Sequence, residues 1–176
     1  MKHNTFAELL GLLSENNIKF MTVGGVACSL NGFVRATEDV DILVANNTEN
    51  ISSLLQTLAL FGQGYARELS LEDFPDEEGA VRIQEDFDLD IFVRMGGKRY
   101  EDFLPNMRTR ETAGGHTIPF LDAAGLIELK SGSVREKDRM DVYALRALIK
   151  EDPCDNLERP DINSIQHRPP GGYGGR

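Results

Sequence analysis

The apolar positions of the chain switch repeatedly between helical and strand spacing. Leu9, Leu10, Leu12 and Leu13 recur at helical intervals. Thr5-Phe6-Ala7-Glu8 ahead of them has the Thr-x-x-Glu form of a capping box, and Asn16-Asn17 is a stop, so a first helix of roughly three turns is predicted. Residues 18–23 are short, apolar and rich in β-branching, which predicts a strand running directly into Gly24-Gly25. A short helix over 26–30, closed near Asn31-Gly32, and a second strand over 39–45 follow. Asn46-Asn47-Thr48 reads as a turn and helix cap, with a helix over 51–61 behind it.

The segment 62–79 is polar and acidic and predicts a loop holding one short element. Residues 80–84 and 87–94 predict a strand pair across a tight turn, and Met95-Gly96-Gly97 a break. A helical turn is expected over 100–104, and short strands within 107–120 around Gly114-Gly115. Asp122 caps a helix over 122–131, and Ser133 caps one over 134–150 with Val142, Leu145, Leu148 and Ile149 facing inward. Pro153 prevents continuation. The chain therefore divides into one domain, 1–152, and a flexible tail, 153–176, rich in Pro, Gly and charge. Helices and strands alternate early, strands dominate the middle and two helices close the domain. This predicts an α/β (α+β) fold: a small mixed β-sheet flanked by helices.

Charge narrows the function. A formal net charge of -10 over 176 residues argues against a broad, sequence-independent grip on nucleic acid. It leaves room for a substrate whose charge arrives with a divalent ion. The two cysteines, Cys28 and Cys154, have no CxxC spacing and no neighbouring His cluster, so neither a zinc site nor a disulfide framework follows. Cys28 lies among apolar residues and reads as a core side chain. His3, His116 and His167 have no spacing that points to catalysis. No run approaches a membrane span and the N-terminus lacks a signal-peptide layout, which makes a cytoplasmic protein the expectation.

The chemistry concentrates in two acidic strands. In Asp39-Val40-Asp41-Ile42-Leu43-Val44, strand alternation puts Asp39 and Asp41 on one face, roughly 6.5–7 Å apart along the strand. Two like charges entering an apolar core repel and are costly to desolvate, and a cation between them removes that penalty. Oxygen ligands of this kind suit Mg²⁺, or Mn²⁺ in its place. Phe87-Asp88-Leu89-Asp90-Ile91-Phe92-Val93 repeats the style. If the strands are neighbours, Asp90 meets the pair from the side. Asp88 is the rival, and Asp90 is preferred because it directly precedes the apolar run. An EF-hand over Asp86, Asp88 and Asp90 fails, because its sixth position would be Ile91 and its twelfth Gly97.

Gly24-Gly25 follows a strand and opens a helix, where backbone N–H groups can face an anion and no side chain keeps a phosphate away. Ser29 could turn a hydroxyl the same way or be a plain helix serine. Arg35 either reaches a phosphate or pairs with nearby acids. Lys130 flanks the site or is solvated. Arg135, Lys137, Asp138, Arg139 and Asp141 read first as a salt-bridged helix face, with Asp138 and Asp141 pairing to Arg135 or Lys137.

Taken together, these residues resemble the signature of the polymerase-β-like nucleotidyltransferase superfamily. Val23-Gly24-Gly25, thirteen residues, then Asp39-Val40-Asp41-Ile42 has the family's order of glycine turn and Asp-x-Asp strand. Arg35-Ala36-Thr37-Glu38-Asp39-Val40-Asp41 is similar to the R-x-T-x-D-[IVL]-D stretch of its small stand-alone bacterial and archaeal members, which include toxin components of toxin–antitoxin pairs. Lys130, followed by Arg135-Glu136-Lys137-Asp138-Arg139-Met140-Asp141-Val142, looks like their K…R-x-K-D-x-x-D-[IV] segment. The resemblance implies transfer of a nucleoside monophosphate from a nucleoside triphosphate to a hydroxyl acceptor. Asp39, Asp41 and Asp90 would be catalytic and hold metal, while Gly24, Gly25 and Lys130 would bind the nucleotide, joined by Arg35 on its own reading as a phosphate contact. The acceptor is open: a protein, a tRNA end, or a small molecule such as an aminoglycoside. One departure is the glycine at 25, where the family can carry serine. It motivates a rival expectation, a non-catalytic nucleotide-binding domain or the partner of an antitoxin.

Overall fold

A computed structural model of the chain describes residues 5–151. The expected tail, His3, His167 and Cys154 lie outside the described residues. Helix α1 (Phe6–Glu15) begins as its sequence dictates: the Glu8 amide donates to the Thr5 hydroxyl and the Thr5 amide to the Glu8 carboxylate. Strand β1 (Phe20–Val23), helix α2 (Gly24–Leu30), strand β2 (Asp39–Val44) and helix α3 (Thr48–Leu58) follow, the last capped by the Asn47 side chain. Then come β3 (Ala80–Gln84), β4 (Asp88–Phe92), β5 (Arg94–Met95), β6 (Lys98–Arg99), β7 (Met107–Glu111) and β8 (Thr117–Leu121). Helices α4 (Ala123–Lys130), capped by Asp122, and α5 (Glu136–Glu151) close the domain.

Four expectations need correction. The helix predicted over 51–61 runs over Thr48–Leu58, starting directly behind the Asn47 cap. The acidic loop holds two 3₁₀ turns, Tyr65–Glu68 and Leu71–Asp73, instead of one short element. The strand predicted over 87–94 stops at Phe92, because Gly96 and Gly97 adopt positive φ and fold Arg94–Met95 back onto β6 as a separate hairpin. Helix α5 begins two residues late, leaving Val134 exposed, and Ile149 is 49% exposed instead of facing inward. Val142 and Leu145 are buried as expected.

Six strands form one mixed sheet in the order β3-β4-β2-β1-β8-β7, which bears out the α/β architecture. β2 is antiparallel to β1 and parallel to β4, while β1 is parallel to β8. A parallel neighbour needs a crossover, which α3 and the loop after it supply between β2 and β4. Alternation along β2 then sorts the residues. Val40, Ile42 and Val44 share one face, where Leu9 of α1 and Leu58 of α3 pack with Ile83, Phe87 and Leu89. Asp39 and Asp41 share the other face, against which α2 lies with α4 behind it. Among the described residues no helix is long and apolar enough to cross a membrane.

Candidate functional site

The pairing of β2 with β4 builds the site. In the parallel register Asp41 stands opposite Asp90 and Asp39 opposite Asp88, so all four side chains project from one face. One carboxylate oxygen from each of Asp39, Asp41 and Asp90 lies within 4.8 Å of the other two. Asp88 is not in this group. Its carboxylate accepts from Arg82 Nη1 at 3.1 Å and from Gln84 Nε2 at 3.2 Å. It sits one rung nearer the start of the strand, while Asp90 is only 6% exposed.

Crowding of the three acids has a measurable electrostatic consequence. Burial, followed by repulsion from Asp39 and Asp90, pushes the Asp41 carboxyl up to about 7, and Lys130 and Lys137 only partly oppose the rise. A cation bound among the three carboxylates would relieve that repulsion. The donors are all hard carboxylate oxygens, which suit Mg²⁺ or Mn²⁺ and not a thiophilic metal. Metal–oxygen distances of about 2.1 Å place two ligands of one ion at most about 4.2 Å apart, so small side-chain rotations would let the group close on an ion. The residues fit a divalent ion.

The glycine turn presses on this cluster. Gly24 has φ +62°, a left-handed conformation that favours glycine. A β-carbon there would stand 1.9 Å from Asp41 Oδ2. At Gly25 a β-carbon would meet the Thr37 hydroxyl at 2.8 Å and Arg35 Nη1 at 3.1 Å. The missing serine thus has a local cause: Thr37, 2% exposed, already fills that space. Its hydroxyl donates to Asp39 Oδ1 at 2.8 Å and so orients the first carboxylate. Ser29 points into its own helix and donates to the Gly25 carbonyl at 3.3 Å.

The basic residues lie behind the acids in a buried network. Arg35 grips Asp141 in a two-pronged pair, Nε to Oδ1 at 2.9 Å and Nη2 to Oδ2 at 3.0 Å. Lys130 Nζ reaches Asp138 at 2.7 Å and Asp141 at 2.9 Å. Burial alone would lower the Lys130 pKa, but the hydrogen bonds to Asp138 and Asp141 outweigh it and the net shift is upward. Asp138 and Asp141 therefore do not pair with Arg135 or Lys137. Their three-residue spacing places them on the inner face of α5, toward α4 and the loop carrying Arg35. Asp138 also accepts from the Ser133 hydroxyl at 2.6 Å. Cys28 is buried beside this network, and burial first, then the Asp141 charge, pushes its thiol up to about 11. That is an inert core thiol. Of the expected phosphate contacts, Arg35 and Lys130 stand near the acids with their charges already engaged.

One residue was missed in the sequence. Arg82 of β3 stands opposite Asp90 and donates to both of its oxygens, Nε to Oδ1 and Nη2 to Oδ2, each at 2.7 Å. The signal was available: a turn of three residues between 84 and 88 pairs 82 with 90. His116, given no catalytic role, pairs with Glu15 at 3.1 Å.

No known protein family matches the chain, and no curated protein does. Among solved structures, the chain is similar to a Thermotoga maritima protein whose crystal structure is described as that of a "putative nucleotidyltransferase". The two share 16% identity and a TM-score of 0.49, over 82% of this chain and 90% of the other.

Proposed function

We propose that this chain is a divalent-metal-dependent nucleotidyltransferase that moves a nucleoside monophosphate from a nucleoside triphosphate to a hydroxyl acceptor. The observation that carries the reading is the convergence of Asp39, Asp41 and Asp90 from two adjacent parallel strands, with oxygens within 4.8 Å. In the reaction the acceptor oxygen bonds to the α-phosphorus, the bond from that phosphorus to the pyrophosphate oxygen breaks, pyrophosphate departs, and the acceptor proton passes to a carboxylate of the cluster. A divalent ion bound there would supply charge neutralisation for the phosphates and the attacking oxygen.

The chain's own groups then have distinct tasks. Asp39 is oriented by Thr37, and Asp41 is raised by burial and by the charges of Asp39 and Asp90. These carboxylates would hold the ion, and they orient the acceptor hydroxyl. Gly24 and Gly25 form a side-chain-free wall against which the triphosphate lies. Arg35 and Lys130 flank it as a cationic background held in place by Asp141.

A second reading has its own support. Both cations expected on the phosphates are paired to Asp141 and Asp138, which favours a domain that holds nucleotide without turnover, for instance in a toxin–antitoxin pair. One experiment separates the two. Lysate acceptors and each α-³²P nucleoside triphosphate are incubated with the wild-type protein and with Asp41→Ala. Label transfer that needs Mg²⁺ and Asp41 supports the enzyme. Mg²⁺-dependent thermal stabilisation by a triphosphate with no transfer to any acceptor supports the second reading, and neither effect with any of the four nucleotides overturns both.

A further inference from the structure

We propose that Arg82 is the resident counter-cation and positioning residue of Asp90, so that without nucleotide the first divalent ion is held by Asp39 and Asp41 while Asp90 stays committed to Arg82. This inference rests on the metal-site reading above and extends it to the order in which the carboxylates load.

Four observations carry it. The guanidinium meets both Asp90 oxygens in a parallel fork at 2.7 Å, the strongest geometry open to an arginine–carboxylate pair. A third nitrogen, Nη1, bonds Asp88 at 3.1 Å, so one side chain ties down both acids of β4. The Arg82 side chain is 50% exposed and the Asp90 side chain 8%, so the cation covers the acid from the solvent side and can swing away without unpacking the core. Among the described residues, neither Asp39 nor Asp41 makes an ion pair, which leaves those two carboxylates without a cation in contact.

Charge balance turns this into an order of events. With all three carboxylates ionised, as binding an ion requires, the cluster carries three negative charges and Arg82 offsets one. The remaining two match a single divalent ion. A second ion, or full three-carboxylate ligation of the first, requires the fork to open. Arg82 lies on the edge strand β3, where its backbone register is set by pairing with β4 alone, so opening disturbs no other strand. The sign of the effect separates this role from a purely structural one. If Arg82 merely braced the strand pair, its loss would loosen Asp90 and weaken metal binding. As a competing cation, its loss strengthens metal binding.

The test is Mn²⁺ binding to the full chain without nucleotide, read from loss of the free-ion paramagnetic resonance signal, for wild type, Arg82→Gln and Arg82→Lys, with Asp41→Ala as control. Wild type is expected to take up one Mn²⁺. Arg82→Gln should bind it about tenfold more tightly, the low end for losing a charge-assisted competitor, or take up a second ion. Arg82→Lys keeps the charge but not the fork and should fall between, and its binding decides the matter if Arg82→Gln melts early. Unchanged or weaker Mn²⁺ affinity in the variants, with wild type binding normally, overturns the role of Arg82 and leaves the metal site standing. No Mn²⁺ uptake by wild type or variants at millimolar concentration overturns the metal site itself, and this inference with it.

Discussion

Replacing Asp141 by Asn tests whether the buried network beneath the site is structural. Asp141 is 1% exposed and is shared by Arg35, 16% exposed, and Lys130, 13% exposed. The substitution keeps the volume and removes the charge. Lys130 retains Asp138, but Arg35 keeps only a neutral amide oxygen at position 141 and the Ala36 carbonyl at 3.3 Å, with no carboxylate partner among the described residues. Breaking one member of a buried ion pair costs about 3–5 kcal/mol because the survivor is desolvated and unpaired. Retention of Asp138 puts the expected loss near the lower figure, about 3 kcal/mol. For a domain of this size that corresponds to a fall in Tm of roughly 6–12 °C. Calorimetry in metal-free buffer reads it. The double variant Arg35→Met, Asp141→Leu should recover much of the loss, since it removes the unpaired guanidinium and leaves Lys130 paired with Asp138. A second readout is independent: Asp141 raises the Cys28 pKa, so in a Cys154→Ser background the thiol pKa should fall in Asp141→Asn. A Tm within about 1 °C of wild type would refute the claim that this network is desolvated and stabilising.

Two further outcomes concern the acids and the turn. The folded Asp41 carboxyl titrates near 7, against 3.8 for the unpaired group, so between those values the folded chain holds a proton that the unfolded chain has lost. Stability of the metal-free protein should therefore fall as pH rises from about 4 to about 7, by at most about 4 kcal/mol. Urea midpoints at pH 5 and pH 8 measure it. Mg²⁺ should restore stability above pH 7, and an unchanged slope in Asp41→Asn would rule the assignment out. Gly24→Ala must place a methyl at φ +62° and 1.9 Å from Asp41 Oδ2, whereas Gly97→Ala, at φ +76°, meets nothing within 4 Å. Both should be destabilised by about 1–3 kcal/mol of backbone strain. Only Gly24→Ala should also lose Mn²⁺ binding, and equal Mn²⁺ affinity in the two variants would contradict the contact with Asp41.

Local signals carried much of the fold. The Thr5–Glu8 capping box, the Asn47 and Asp122 caps and the apolar runs after Asp39 and Asp88 act over a few residues, so they were legible without knowing the sheet. The same holds for Asp39 and Asp41 on one face, since alternation is a property of the strand itself. Errors came where long-range contacts decide. Ile149 has helical spacing but is 49% exposed, and ahead of α5 the Ser133 hydroxyl donates to Asp138, which also accepts from Lys130.

What the sequence by itself determined is the donor chemistry: three carboxylates at strand positions, a side-chain-free turn ahead of them, and basic residues after them. Tertiary structure alone decided which of these groups meet. The parallel register of β2 with β4 sets Asp90 level with Asp41, and Asp90 rather than Asp88 joins the group of oxygens within 4.8 Å; register is a relation between strands that neither strand encodes alone. Pairing of β3 with β4 brings in Arg82. Packing of α5 on α4 draws Asp141 between Arg35 and Lys130 and takes both cations from open solvent, because a charge buried that deeply requires a partner.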